Sequence, residues 1–91
     1  MRTNRQTKPS TKEFRSNVKK HRHGMRQLYL LKQNVEVYGA SIEIDHAHNV
    51  CISGSLNKVN IPNLNRYLRL EGQKIADILM WSNRNFMMIL Q

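Results

Sequence analysis

The sequence predicts a mainly β domain, in which a short N-terminal helix precedes a strongly bent five-stranded antiparallel barrel. Ninety-one residues are enough for one small domain. Apolar residues alternate with polar ones on both sides of a polar turn at residues 45–48. The phase of this alternation changes at Gly39. A strand whose buried face changes parity needs a bulge or a bend, and a glycine permits one.

The net charge of +9 is concentrated near the start of the chain. Residues 1–23 carry eight Lys/Arg and one acidic residue, whereas residues 24–91 carry seven Lys/Arg and five acidic residues. Such a basic arm binds phosphate backbones, here RNA, or is only a solvated tail. Cys51 is the only cysteine and no apolar run is long enough to span a membrane. We expect a protein of the nucleus and cytoplasm.

The first 24 residues predict a basic arm and a short helix. Residues 1–9 are polar and basic, which is typical of disorder. Ser10 and Glu13 have the spacing of a capping box, so a helix is expected over 11–23. Gly24 is placed to end this helix. The domain proper is expected over 10–81, followed by an apolar C-terminal tail over 82–91.

The rest of the domain is predicted to form strands. Polar turns and glycines separate five segments of strand-forming residues, at 27–32, 35–44, 49–56, 67–71 and 74–81. A helix is the alternative over 64–80, where Leu64 and Leu68 have helical spacing. Gly72 in the middle of that segment counts against the helix.

Two segments resemble the sequence motifs of the Sm/LSm family. Residues 31–39, with Asp45, Asn49 and residues 50–52, are similar to the first Sm motif, and residues 68–75 resemble the second. The resemblance implies an Sm-like barrel whose motif positions are Gly39, Asp45, Asn49 and Gly72. It also implies hetero-oligomers with other Sm-like subunits, formed by pairing of the fourth and fifth strands. The interface residues would be Tyr67, Leu68, Leu70, Ile75, Ile78 and Met80.

The resemblance is weakest where the family binds RNA bases. Ala47 stands at the base-stacking position and Glu71 at the position of a conserved arginine, and only Asn49 is kept. Readers of single-stranded RNA need a stacking surface and an edge contact. The candidate RNA contacts are therefore Asn49 and, on the basic helix, Lys19, Lys20 and Arg22.

The resemblance thus implies a non-enzymatic scaffold for spliceosomal snRNP assembly, similar to the Gemin-type subunits of the SMN complex. Alternatives are an RNA-binding ring subunit, an Sm-like auxiliary subunit of an N-terminal acetyltransferase, and a basic protein that binds nucleic acid without a barrel. No catalytic constellation or cofactor motif stands out, and two His-x-His pairs are a poor zinc pattern. The apolar C-terminal tail favours a protein partner over packing on the chain's own core.

Overall fold

The computed structural model describes residues 11–91 and shows an open four-stranded antiparallel sheet with two helices on one face. The elements in chain order are α1 (Thr11–Val37), β1 (Ser41–Ile44), β2 (Val50–Ser55), α2 (Ile61–Leu70), β3 (Ile75–Met80) and β4 (Asn85–Leu90). The predicted five-stranded barrel is wrong, because the sheet does not close. The predicted disordered arm over 1–9 and the capping residue Ser10 lie outside the described residues.

The sheet is built from two hairpins joined at their second strands. The strand order is β1-β2-β4-β3, and each neighbouring pair is antiparallel. Each hairpin follows a helix, so the described chain consists of two helix–strand–strand units. One face of the sheet carries the core side chains and packs against both helices: Val50, Ile52, Phe86, Met88 and Leu90 from the sheet, Leu31 and Val35 from α1, and Leu64 and Leu68 from α2.

Helix α1 does not end at Gly24, as predicted, but continues for another thirteen residues to Val37. Gln27, Leu31 and Val35 recur every four residues and are all buried, which is the spacing of one helix face. The segment 27–32 is therefore helical and not a strand. Gly39 follows the end of the helix, has a φ of 89° and donates its N–H to the Glu36 carbonyl. Glycine commonly supplies this left-handed residue after a helix.

Helix α2 replaces the predicted fourth strand. The side chain of Asn60 caps its first turn by accepting the Asn63 N–H at 3.1 Å, and Pro62 lies in that turn. Gly72, with a φ of 75°, follows its last residues in the same left-handed conformation as Gly39. The segment 67–71 therefore cannot pair with a neighbouring subunit as a strand.

The C-terminal residues complete the chain's own core. In β4 the side chains of Phe86, Met88 and Leu90 are buried beneath the helices. The segment therefore packs on the chain's own core, the alternative to the expected protein partner, and a partner contact by its remaining side chains stays a prediction. The polar turn at residues 45–48 and a strand close to residues 74–81 are confirmed.

Candidate nucleic-acid interface

Four basic side chains form a stripe along the outer face of α1. Arg15, Lys19, Arg22 and Arg26 recur at intervals of four, three and four residues, so they share one side of the helix. All four are exposed. At 1.5 Å per residue, this basic stripe is about 16 Å long. Lys20 is also exposed but lies on a different side of the helix.

The N-terminal half of α1 projects beyond the sheet. Helix and sheet first meet closely at Gly24, where a β-carbon would lie 3.4 Å from the Ile44 side chain and 3.5 Å from the His48 carbonyl oxygen. Between Arg15 and His23, only Val18 is even half-buried. A shallow groove lined by Val18, His21, Arg22 and His48 follows this junction. The basic side chains before Gly24 are therefore open to a large ligand.

The positive charge of the protein resides on α1 and the residues before it. Residues 14–35 contain six Lys/Arg and no acidic residue, whereas residues 36–91 contain five Lys/Arg and five Asp/Glu. The sheet, its loops and α2 are therefore neutral as a group. Since exposed opposite charges are absent from this stretch of the helix sequence, its positive potential is not cancelled locally. Such a segregated field attracts polyanions.

Asp45 organises the turn of the first hairpin. One of its carboxylate oxygens accepts the N–H groups of Ala47 and Asn49, each at 2.9 Å. The N–H of Asn49, and then that of Ala47, hold the pKa of the Asp45 carboxyl below its ordinary value. The backbone of Asn49 is thus committed to the turn, and its carbonyl also accepts the Asp45 N–H at 2.9 Å. Asp45 and Asn49 have structural roles here that need no RNA.

Cys51 follows this turn as a buried thiol. Burial, together with the nearby Asp45 carboxylate, raises the pKa of the Cys51 thiol. The neutral thiol is a poor nucleophile. Two histidines approach the same hairpin, the rings of His21 and His48 lying edge to face with centroids 5.4 Å apart. Within the described part of the chain, no three His, Cys, Asp or Glu side chains cluster as a metal site requires.

The six predicted interface residues do not form one surface. Leu68 is buried in the core and Ile75 is half-buried. Tyr67 accepts the Asn34 side-chain N–H at 3.1 Å and so joins the two helices. Three of the six are exposed: Leu70 at the end of α2, and Ile78 and Met80 on β3.

A shallow hollow of about 580 Å³ opens at the other end of the molecule. It is lined by the small residues 53–55 of β2 and by residues 85–87 of β4, of which Phe86 and Met87 are apolar, with Lys58 and Trp81 also contributing. Gly39, at the C-terminal end of α1, borders it, so the hollow lies far along the helix from the basic stripe. The two features therefore cannot share one small ligand.

The structure unites some predicted site residues and separates others. The projecting part of α1 carries Lys19, Lys20 and Arg22. Asn49 lies at the turn of the first hairpin, next to His48, which lines the groove together with Arg22. Arg15 and Arg26 belong to the basic stripe but were not among the predicted contacts. The spacing of Arg15 from Lys19 and Arg22 is a helical signal within the predicted helix, whereas Arg26 joins this face only because α1 continues through Gly24.

Comparison of the chain with protein-family models, with curated proteins and with solved structures gave no match. Neither helix among residues 11–91 is long and apolar enough to cross a membrane. The interpretation of the site therefore depends on its own geometry and charge.

Proposed function

We propose that this protein is a non-enzymatic nucleic-acid-binding protein that holds the phosphate backbone, most directly that of RNA, along the basic stripe of α1. The observation that carries the proposal is the coincidence of charge and exposure. The projecting part of the helix, residues 15–23, carries four Lys/Arg and no acidic residue, and all four side chains are exposed. Exposed Lys and Arg on one helix face bind phosphates by charge neutralisation and counterion release.

Of the predicted RNA contacts, this proposal keeps Lys19 and Arg22, which belong to the basic stripe, and leaves out Asn49 and Lys20, which lies on a different side of the helix. The roles implied by the Sm resemblance, in snRNP assembly or beside an acetyltransferase, stay predictions, and the open sheet removes the fold argument behind them. Base-specific contacts are not part of the proposal, because phosphate contacts position a protein without reading sequence.

The test compares two triple variants of equal net charge. The stripe variant carries Lys19→Gln, Arg22→Gln and Arg26→Gln, and the matched control carries Lys58→Gln, Arg66→Gln and Lys74→Gln, three exposed positions outside α1. Binding of labelled single-stranded RNA, single-stranded DNA and duplex DNA is measured by fluorescence anisotropy at several salt concentrations. Glutamine keeps the helix intact because its helix propensity is close to those of lysine and arginine.

The stripe variant should lose most of its affinity. Its slope of log affinity against log salt should fall by about 2–3, since each lost phosphate contact removes roughly 0.7–0.9. The control should retain the wild-type slope and bind within a few-fold of wild type. Equal losses in the two variants would show that net charge alone matters and would contradict the proposal. Wild-type binding that does not depend on salt would also contradict it.

A further inference from the structure

Strand β3 is an edge of the sheet with exposed apolar side chains on both faces, and Asp77 shares one face with Leu79. Ile78 and Met80 lie on the helix-covered face, opposite Met88 and Phe86 of β4, and they are 38% and 60% exposed. Leu79 lies on the other face and is 40% exposed. The strand contains neither lysine nor proline, which commonly protect sheet edges, and its bulge lies at its start, between Ile75 and Asp77.

The free backbone groups of this edge belong to Ile78 and Met80. Trp81, just after β3, donates its N–H to the Asn85 carbonyl at 3.0 Å, so its backbone faces β4. Backbone groups alternate in direction along an antiparallel strand, so Leu79 also faces β4. Ile78 and Met80 therefore face outward. In agreement, Ile78 donates its N–H to the side chain of Asp77.

We infer that β3 pairs with β3 of a second copy of this chain, in an antiparallel two-fold dimer with Leu79 opposite Leu79. This register brings the outward groups of Ile78 in one copy opposite those of Met80 in the other, so that both strands use the donors and acceptors that they leave free. It also keeps the bulge at Ala76 outside the contact. A register centred on Ile78 would place Met80 opposite that bulge.

A second copy fits this edge better than the other edge strand of the same protein does. A partner strand must present apolar side chains to both faces, and β3 does so with Ile78 and Met80 on one face and Leu79 on the other. The opposite edge, β1, has only four residues and carries Ser41 and Glu43 on one face. Pairing of β1 with β3 would also not close, and it would extend into polymers.

The charge distribution permits this pairing despite the net charge of +9. The surplus of positive charge lies on residues 1–35. Helix α1 packs mainly on β1 and β2, near the edge of the sheet opposite to β3. Residues 36–91 are neutral as a group. In the proposed register, the Asp77 carboxylate lies opposite Trp81 of the second copy and not opposite another carboxylate.

The oligomeric state of the full chain tests the inference. Sedimentation velocity over a range of concentrations should show a reversible monomer–dimer equilibrium, with a dimer of twice the 10.7 kDa chain mass. Ile78→Lys and Leu79→Lys should each shift the protein to monomer. The matched controls, Val37→Lys and Leu70→Lys, replace apolar residues that are even more exposed, 80% and 79%, but belong to the helices and not to β3, and they should leave the dimer intact.

Cysteine cross-linking tests the register on folded protein. In a Cys51→Ala background, Leu79→Cys should form a disulfide-linked dimer under mild oxidation, because directly opposed residues lie within disulfide reach. Asp77→Cys, on the same face two residues away, should not, since its counterpart in the second copy is four pairs distant. A wild-type protein that is monomeric at all concentrations, a polymer, or a Leu79→Lys variant that stays dimeric would overturn the inference. Cross-linking of Asp77→Cys in preference to Leu79→Cys would overturn the register.

Discussion

The carboxylate of Asp77 accepts the backbone N–H of the next residue, Ile78, at 2.8 Å. This hydrogen bond occupies one of the outward donors on the edge of β3. The proposed dimer must release that donor, so we expect Asp77→Ala to strengthen self-association. The symmetric dimer releases two such hydrogen bonds, each with a net value of about 0.5–1.5 kcal/mol, so the gain should be about 1–3 kcal/mol, or roughly five- to 150-fold in the dimer dissociation constant. Sedimentation velocity measures it.

Asp77→Asn is the matched variant for this prediction, since it keeps an oxygen that can accept the Ile78 N–H but removes the charge. It should strengthen the dimer less than Asp77→Ala does. An equal gain in dimer affinity in both variants would assign the effect to charge. A lower dimer affinity of Asp77→Ala would contradict the view that the Asp77 carboxylate competes with the second copy for the Ile78 N–H.

The glycines show how much of the fold the sequence can predict. Gly39 and Gly72 both have a positive φ. A glycine in a turn or bend after a strand would have a positive φ as well. Each of the two glycines follows a helix, and glycine after a helix and glycine at a strand bend look alike in a sequence. What separates them is burial along the preceding segment. In the structure, Gln27, Leu31 and Val35 are buried at helical spacing. In the sequence, the strand-forming residues between them favoured the prediction of a strand.

The start of α2 was predictable and was missed. Asn60 followed by Pro62 is a recognised helix-start pattern, and Gly72 is a recognised helix stop. The apparent match to the second Sm motif favoured a strand over this segment. The positive charge of the candidate site and the shared face of Arg15, Lys19 and Arg22 were predictable from the sequence, but the extension of the stripe to Arg26 was not, because Arg26 joins that face only if the helix passes through Gly24.

Gln27 supplies a second test of the fold. It is the buried polar side chain of the described core, 6% exposed, and its amide donates to the Gln73 side chain at 2.7 Å and to the Gln91 carbonyl at 3.2 Å. Gln27→Leu leaves both acceptors without this donor, so the free energy of unfolding should fall by about 1–3 kcal/mol. Urea denaturation followed by circular dichroism measures the loss.

Gln33→Leu is the control for this test. Gln33 is exposed on the same helix, so its replacement should change stability by less than about 0.5 kcal/mol. Similar losses in both variants would mean that the contacts of Gln27 with Gln73 and Gln91 add little to stability.

The turn at Asp45 predicts a dependence of stability on pH. Because the pKa of Asp45 is lower in the folded protein than in the unfolded chain, its ionised form stabilises the fold at neutral pH. This stabilisation is present above the ordinary aspartate pKa and is lost as the pH falls through the lower, folded value. Asp45→Asn should therefore have a lower melting temperature than wild type at pH 7, and the difference should shrink on acidification below about pH 4.

Glu36→Gln provides the comparison, because it removes an exposed carboxylate that makes no turn of this kind. Its melting temperature should follow that of wild type throughout the titration. A difference between wild type and Asp45→Asn that does not change with pH would show that the charge of Asp45 is not what stabilises the turn.

Gly24 lies where α1 crosses the first hairpin, so the size of its side chain should control how closely helix and sheet pack. A β-carbon there would meet Ile44 and Val50 side-chain atoms at 3.4 and 3.5 Å, which is ordinary contact. Alanine should therefore fit and stabilise the protein by about 0.5–1 kcal/mol through helix propensity. Leucine should overpack the crossing and cost about 1–3 kcal/mol. Urea denaturation measures both, and a stable Gly24→Leu protein would show that α1 is not held against the hairpin at this residue.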